Sequence, residues 1–458
     1  MNTAEMTVKE RIARLRRGEV LPGYKKTEVG VVPEGWESTR VRAIASSARN
    51  STVGGPFGSD LVSNDYVNQG VPVIRGQNMG EVWLSGNFVY VTSEKAGSLK
   101  ANLAHPEDIV FTQRGTLGQV SIVPEKPYDR YLISQSQMKL TLNRCIADPI
   151  FFYYVFVSRK QQDYIRQSTI QTGVPHINLG ILRDIPVQLP PLPEQRRIAE
   201  ILSAWDEALE KFDLLIEKKR ELKRGLMQVL LSGKRRFPEF DSGRFNETEM
   251  GVVPEEWDIL ELKDLVSQVV REVPKPDKSY WALSIRSHGK GTFHRFVEKP
   301  DEVCMESLFL VRPNDLIVNI TFAWEHAIAI AKQEDEGKLV SHRFPTYVIN
   351  EELLELGFLG AIILQPSFRK KLELISPGGA GRNRVLNKKS FMKIKLPLPP
   401  LPEQRRIADC LSALDREIEL LEREKAQRQT QKKALMELLL TGKVRVDVTD
   451  KEKNDGQE

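Results

Sequence analysis

The chain has 458 residues, more than a single hydrophobic core usually accommodates, and its 40% apolar and 28% charged residues are a globular composition, not a disordered one. Its formal net charge of +5 permits a polyanionic partner without demanding one. Cys145, Cys304 and Cys410 form no CxxC pair, the six histidines lack metal-ligand spacing, and no apolar run reaches about 18 residues, which argues against a disulfide scaffold, a zinc site and a membrane span.

Residues 1–26 form an N-terminal extension without the apolar stretch of a signal peptide, so the expected compartment is the cytoplasm. Residues 27–188 open on "TEVGVVPEGWE" and read as a mixed α/β domain. Short β-rich runs ("VPVIRG", "DIVFTQ", "QVSIVPE") are divided by polar loops and followed by a helix candidate, "PIFFYYVFVSRKQQDYIRQ". Residues 189–247 hold "LPPLPEQRRIA" and the long helix it begins. Pro193 suits a first turn and Glu194 its positive end. Apolar residues then recur with coiled-coil spacing at Ile198, Leu202, Trp205, Leu209 and Phe212. A polar interval with Lys219 and Lys223 precedes Leu226, Leu230 and a terminating Gly233. Residues 248–397 repeat the α/β reading, from "TEMGVVPEEWD" through "DLIVNI" and "AIAIAKQ" to the helix candidate "EELLELGFLGAIILQPSFRKKLELI". Residues 398–446 repeat the helix, with a seam at Ile407, Leu411, Leu414, Ile418 and Leu421. Lys425, Arg428 and Lys432 interrupt it before Leu435, Leu439 and Gly442. Residues 447–458 read as a disordered tail.

The two "LPPLPEQRRIA" phrases stand 209 residues apart, at Leu189 and Leu398, and the match continues without a gap to Gly233-Lys234 and Gly442-Lys443. "GVVPEGW" and "GVVPEEW" stand 221 apart, and "HPEDIVFT" and "RPNDLIVN" 207 apart. Two units thus share their ends and differ in their middles. The fold class is α+β: two mixed α/β domains separated by two long helices. A helix of about 35 residues, roughly 50 Å, leaves its apolar stripe in water when alone. The copies are therefore expected to pair as an antiparallel coiled coil with pseudo-twofold symmetry. Near-identity at Gln195, Arg196 and Arg197, and again at Gln404, Arg405 and Arg406, suggests a docking face for a partner that occurs twice.

The loops of the middles carry amide, guanidinium and imidazole groups, the types that match base edges. The first unit offers Arg75, Gln77, Asn78, Gln113, Arg114, Ser134, Gln135, Gln137, Thr172, His176 and Asn178. The second offers Arg286, Ser287, His288, Trp324, Glu325, His326, Ser341, His342, Arg343, Arg382, Asn383 and Arg384. Each is also a residue type common in solvated loops, and "PGGAGRNR" from Pro377 reads equally as a phosphate cradle or a turn. No GxxxxGK[ST], no GxGxxG after a strand and no Asn/Asp-Pro-Pro-aromatic loop is present, so the sequence offers no catalytic set and no metal site.

The doubled "LPPLPEQRRIA", each copy preceded by a divergent unit, together with "GVVPEGW", "GVVPEEW", "DIVFTQRGTLGQVSIVPE", "ISQSQMKLTL" and "LVSHRFPTYVI", resembles the specificity subunit of type I restriction–modification enzymes. "LRRGEVLPGYKKTEVG" from Leu15 also resembles the stretch after the first helix, in keeping with that family's circular organisation. The resemblance implies two target-recognition domains, each reading half of a split, asymmetric site on double-stranded DNA. It implies that the repeated helices set the gap, and that two adenine-N6 methyltransferase subunits and a motor–nuclease subunit dock on the scaffold. It also implies that the chain is not itself an enzyme and binds no cofactor: S-adenosylmethionine, Mg2+ and ATP belong to the partners. A modification-only system, a self-contained enzyme with an unrecognised site and a coiled-coil scaffold without a DNA role are the competing readings.

Overall fold

The computed structural model describes residues 6–171, 174–379 and 384–448. The chain divides into two compact units: residues 1–211 with 424–458, and residues 212–423. Each of the two long helices, Leu192–Leu230 and Leu401–Leu440, gives one half to each unit. They run 39 and 40 residues, a turn longer than the apolar seams alone suggest.

In the first unit a four-stranded antiparallel sheet is ordered Val120–Ile122, Ile109–Thr112, Gln137–Leu140, Thr52–Gly54. The run of β-branched and aromatic residues "IVF" is buried on both faces, which accounts for its lack of polar alternation. The second unit repeats this sheet in the same order with Ile328–Ile330, Leu316–Val318, Thr346–Ile349 and Val266–Val269. Beside each lies a five-stranded sheet with one parallel pair, Val71–Ile74 with Tyr131–Ile133 in the first unit and Tyr280–Ile285 with Leu339–Val340 in the second. Four strands of this sheet correspond between units. The fifth does not: Tyr66–Val67 sits beside Val89–Val91, whereas Glu272–Pro274 sits at the other edge, beside Ser307–Leu310. One frame thus carries different additions.

Both helix candidates in the middles are broken in two. "PIFFYYVFVSRKQQDYIRQ" becomes Pro149–Val157 and Arg159–Gln167, with Ser158 extended between them. Its counterpart becomes Leu356–Ile363 and Pro366–Leu374, because Pro366 starts a helix but cannot continue one. The first half of each pair is almost wholly buried in its unit's core, and the second half is polar.

Within each unit the two helix halves run antiparallel. In the second unit Lys219 meets Glu417 at 2.8 Å and Lys223 meets Asp415 at 2.6 Å. In the first, Lys432 pairs with Asp206 and lies over the Tyr154 ring. Lys219, Lys223 and Lys432 of the polar interval are therefore half-buried and matched by carboxylates of the facing half. Cations at seam positions favour one register over others. Ile198, Leu202, Leu230, Ile407, Leu411, Leu414 and Leu439 are buried, as is Ile216, which lies outside the expected apolar set.

The repeated end motifs meet in two matching clasps. In the first unit the Trp36 indole donates to Glu194 at 2.8 Å, and Arg445 holds the same carboxylate through two hydrogen bonds, 2.6 and 2.8 Å. In the second, Trp257 donates to Glu403 at 3.1 Å and Arg236 grips it at 2.9 and 2.8 Å. "GVVPE-W", "LPEQ" and the residues after each helix are one device used twice. The Glu403 carboxylate and a further contact to Glu256 hold the Arg236 guanidinium charged more firmly than usual. Tyr24 also donates to the Gly442 carbonyl at 3.0 Å, which ties the N-terminal extension to the end of the C-terminal helix.

Gly442 and Gly233 end the helices in left-handed conformation, φ +65° and +68°, and a Cβ on either would collide with the ring of Pro33 or Pro254. Gly442→Ala is expected to destabilise the first unit by about 1–3 kcal/mol through strain and overlap. Gly225→Ala, in an open mid-helix position, is expected to stabilise by about 0.5–1 kcal/mol. Thermal melts of the two variants check both signs.

Candidate nucleic-acid interface

In each unit three loops are fastened together by the same backbone crossing. In the first, Gln113 N donates to the Ser136 carbonyl at 2.7 Å, and Ile177 N donates to the Gln113 carbonyl at 3.1 Å. In the second, Ile320 N donates to the Arg343 carbonyl at 3.0 Å, and Leu386 N donates to the Ile320 carbonyl at 2.8 Å. The positions correspond by the repeat spacing of the sequence. The first two loops adjoin strand ends of the four-stranded sheet, the third joins two helices, and Asn178 and Asn387 anchor it by capping the helices Leu179–Asp184 and Lys388–Met392.

The first unit brings several expected residues together. Arg114 and His176 line one open groove of about 510 Å3 with Ser136. Arg114 is exposed and His176 half-buried, its Nδ1 3.1 Å from the Val174 carbonyl. The side chain of exposed Gln135 donates to the carbonyls of Gly58 and Leu61, and that of Gln77 donates to Asn87 at 3.0 Å. Gln113, Ser134 and Arg75 are half-buried at the same loop cluster. In the second unit Arg286, His288, His342 and Arg343 are exposed, and the two guanidinium groups give their loops a cationic face suited to phosphate. The Arg286 guanidinium lies over the Phe293 ring. Ser287 donates to the Glu325 carboxylate at 2.6 Å, while Ser341 accepts from Arg343 N at 3.4 Å. Arg384 stacks on Trp324 and donates to the Ser376 carbonyl at 3.1 Å, so its charge is engaged within the unit.

Five expectations are corrected. Asn78 is buried and spends its amide on the Ser85 and Asn87 carbonyls, and its oxygen accepts from Arg75 N. Gln137 is wholly buried in its strand. His326 is buried in left-handed conformation with Nε2 2.6 Å from the Ile363 carbonyl. None of the three presents a group to a base. Gln195 and Gln404, expected on an exposed docking face, are buried too. Gln195 accepts from Asp148 N and donates to the Ile146 and Pro190 carbonyls; Gln404 does the same with Glu355, Leu353 and Pro399. They splice each unit's α/β domain to its helix. Arg196, Arg197, Arg405 and Arg406 remain exposed, Arg197 paired with Glu200 and Arg406 lying over Phe237. Thr172, Arg382 and Asn383 lie outside the described residues. Ser136 lies between two of the expected residues, and no pattern in the sequence marks it. Trp36 and Trp257 belong to the repeated GVVPE-W motifs, and that repetition is the signal for their role in the clasps.

Burial lowers the affinity of His326 for a proton below the ordinary value of 6.5. The folded second unit therefore resists protonation that the unfolded chain accepts, and the associated stability falls as pH drops below about 6.5. A histidine NMR titration is expected to place His326 below 6.5; a value at or above 6.5 would contradict the buried site.

A family model described as the type I restriction modification DNA specificity domain matches residues 33–219 and 254–428, one copy for each divergent region and the helix that follows. The chain is 25% identical over 431 residues to the type I restriction enzyme MjaVIII specificity subunit of Methanocaldococcus jannaschii, covering 91% of this chain and 94% of that one. It is 27% identical over 434 residues to the putative MjaX specificity subunit of the same organism, covering 92% and 97%. In fold it is similar to a chain from a study of complex assembly and conformational transition of the type I R-M system, with a TM-score of 0.55 and 18% identity over 90% of this chain and 99% of the other. With the family model matching both divergent regions, the chain belongs to the type I restriction–modification DNA specificity family.

Proposed function

We propose that this chain is the non-catalytic DNA reader of a type I restriction–modification complex. Each unit reads one half of an asymmetric bipartite site on double-stranded DNA. The paired helices, shared by both units, set the gap between half-sites. Two adenine-N6 methyltransferase subunits dock at the repeated arginines Arg196, Arg197, Arg405 and Arg406, and a motor–nuclease subunit joins them in the cytoplasm. S-adenosylmethionine, Mg2+ and ATP are used by those partners, while this chain supplies address and geometry.

The observation that carries the reading is the pair of identical backbone crossings dressed with different side chains: Gln113, Arg114 and Ser136 in one, Ile320 and Arg343 in the other. A shared frame with unlike polar groups suits two different base sequences. The test is duplex binding by the purified chain. Binding that weakens steeply with salt and is competed by one bipartite sequence but not by a scrambled duplex supports the reading. Methylation of DNA by the chain alone with S-adenosylmethionine would replace it with an enzyme. Deleting one heptad from both helices is expected to shorten the recognised gap and leave both half-sites unchanged; an altered half-site would count against the spacer role.

A further inference from the structure

Phe57 has 85% of its surface in water, the highest exposure of any large apolar side chain among the described residues. A Phe left in solvent gains nothing for folding. The loop that carries it is nonetheless fastened firmly. Pro56 beside it is buried. A Cβ on Gly55 would overlap the backbone of Ser134 and Gln135, so only glycine permits the approach made here. The Gly54 carbonyl accepts from Asn102 at 2.7 Å, and the side chain of Gln135 donates to the carbonyls of Gly58 and Leu61 on either side of the turn. The loop is thus bound to the Ser134–Gln135 loop and to the neighbourhood of Gln113, while its ring stays in water. The strand Val266–Val269 fills the same sheet position in the second unit, and the loop after it has Val270 and no aromatic residue.

We infer that Phe57 is an aromatic wedge of the first unit, a specificity residue that enters the half-site and stacks on or parts a base step. The inference rests on the DNA-reading role proposed above. Its chemistry is that of apolar side chains that unstack a step so that neighbouring polar groups can reach base edges, at a cost that varies with the deformability of the step. The wedge therefore makes the first half-site sensitive to a step that no hydrogen bond reads.

The test uses the full chain and duplexes carrying its bipartite site, with 2-aminopurine placed at successive positions of each half-site. The wild-type chain is expected to raise fluorescence at one step of one half-site only. Phe57→Ala is expected to lose that signal and to bind the site about tenfold more weakly, with scrambled duplex little affected. Phe57→Trp is expected to keep both, which separates stacking from a general loss of fold. No preference of the wild-type chain for its site would remove the DNA reading and the wedge together. Normal preference with an unchanged fluorescence profile in Phe57→Ala would remove the wedge alone. The same profile accompanied by failure of Phe57→Ala to assemble with methyltransferase subunits would reassign the ring to a protein contact.

Discussion

Glu403→Gln is expected to cost the second unit about 3–5 kcal/mol, because it strands a buried cation. Arg236 is 3% exposed and Glu403 1%, and the pair is joined by two hydrogen bonds with the Trp257 indole as a third ligand of the carboxylate. The amide keeps the shape but removes the charge and one acceptor, so Arg236 retains only Glu256 as a counter-ion. The matching change Glu194→Gln is expected to cost less, since the Arg445 side chain is 47% exposed and water takes over part of its solvation. Urea denaturation followed by hydrogen exchange in each unit compares the two. Equal losses would mean that burial of the cation does not govern the clasp.

Arg114→Ala and Arg343→Ala are expected to divide the DNA site between them. Each removes an exposed guanidinium from a loop held by the repeated backbone crossing. If these groups read bases, each variant loses about 1–3 kcal/mol of specific binding and relaxes one half-site while the other stays strict. If they only hold phosphate, binding to every sequence weakens together and the salt slope falls by about one. Competition against duplexes altered in one half-site at a time separates the outcomes. Relaxation of both half-sites by a single substitution would contradict one reader per unit.

The architecture was legible where the sequence repeated itself. Spacings of 209 and 221 residues located both helices and both entry motifs, because identical clasps demand identical residues at every point of contact. The seam lysines were legible as an interruption, and their acidic partners lie on the facing helix half, at Asp206, Asp415 and Glu417. Polar residues that serve the fold were not legible. Gln195 and Gln404 sit in an amphipathic helix beside two arginines and read as solvent-facing. Their partners are backbone groups on loops about 50 residues earlier. Asn78, Gln137 and His326 have the right chemistry for bases and use it on carbonyls and amides of their own unit. Phe57 is illegible for the opposite reason: between Pro56 and Gly58 it reads as part of a turn, and only its exposure in the fold marks it.

The central claim is that two unlike readers address two half-sites for a catalyst carried by other chains. Mapping methylated adenines across the genomes of cells with and without this protein tests it most directly. One asymmetric motif, split by a fixed gap, is expected, and its methylation disappears with the protein. An uninterrupted motif, or a methylation pattern indifferent to the protein, would contradict it.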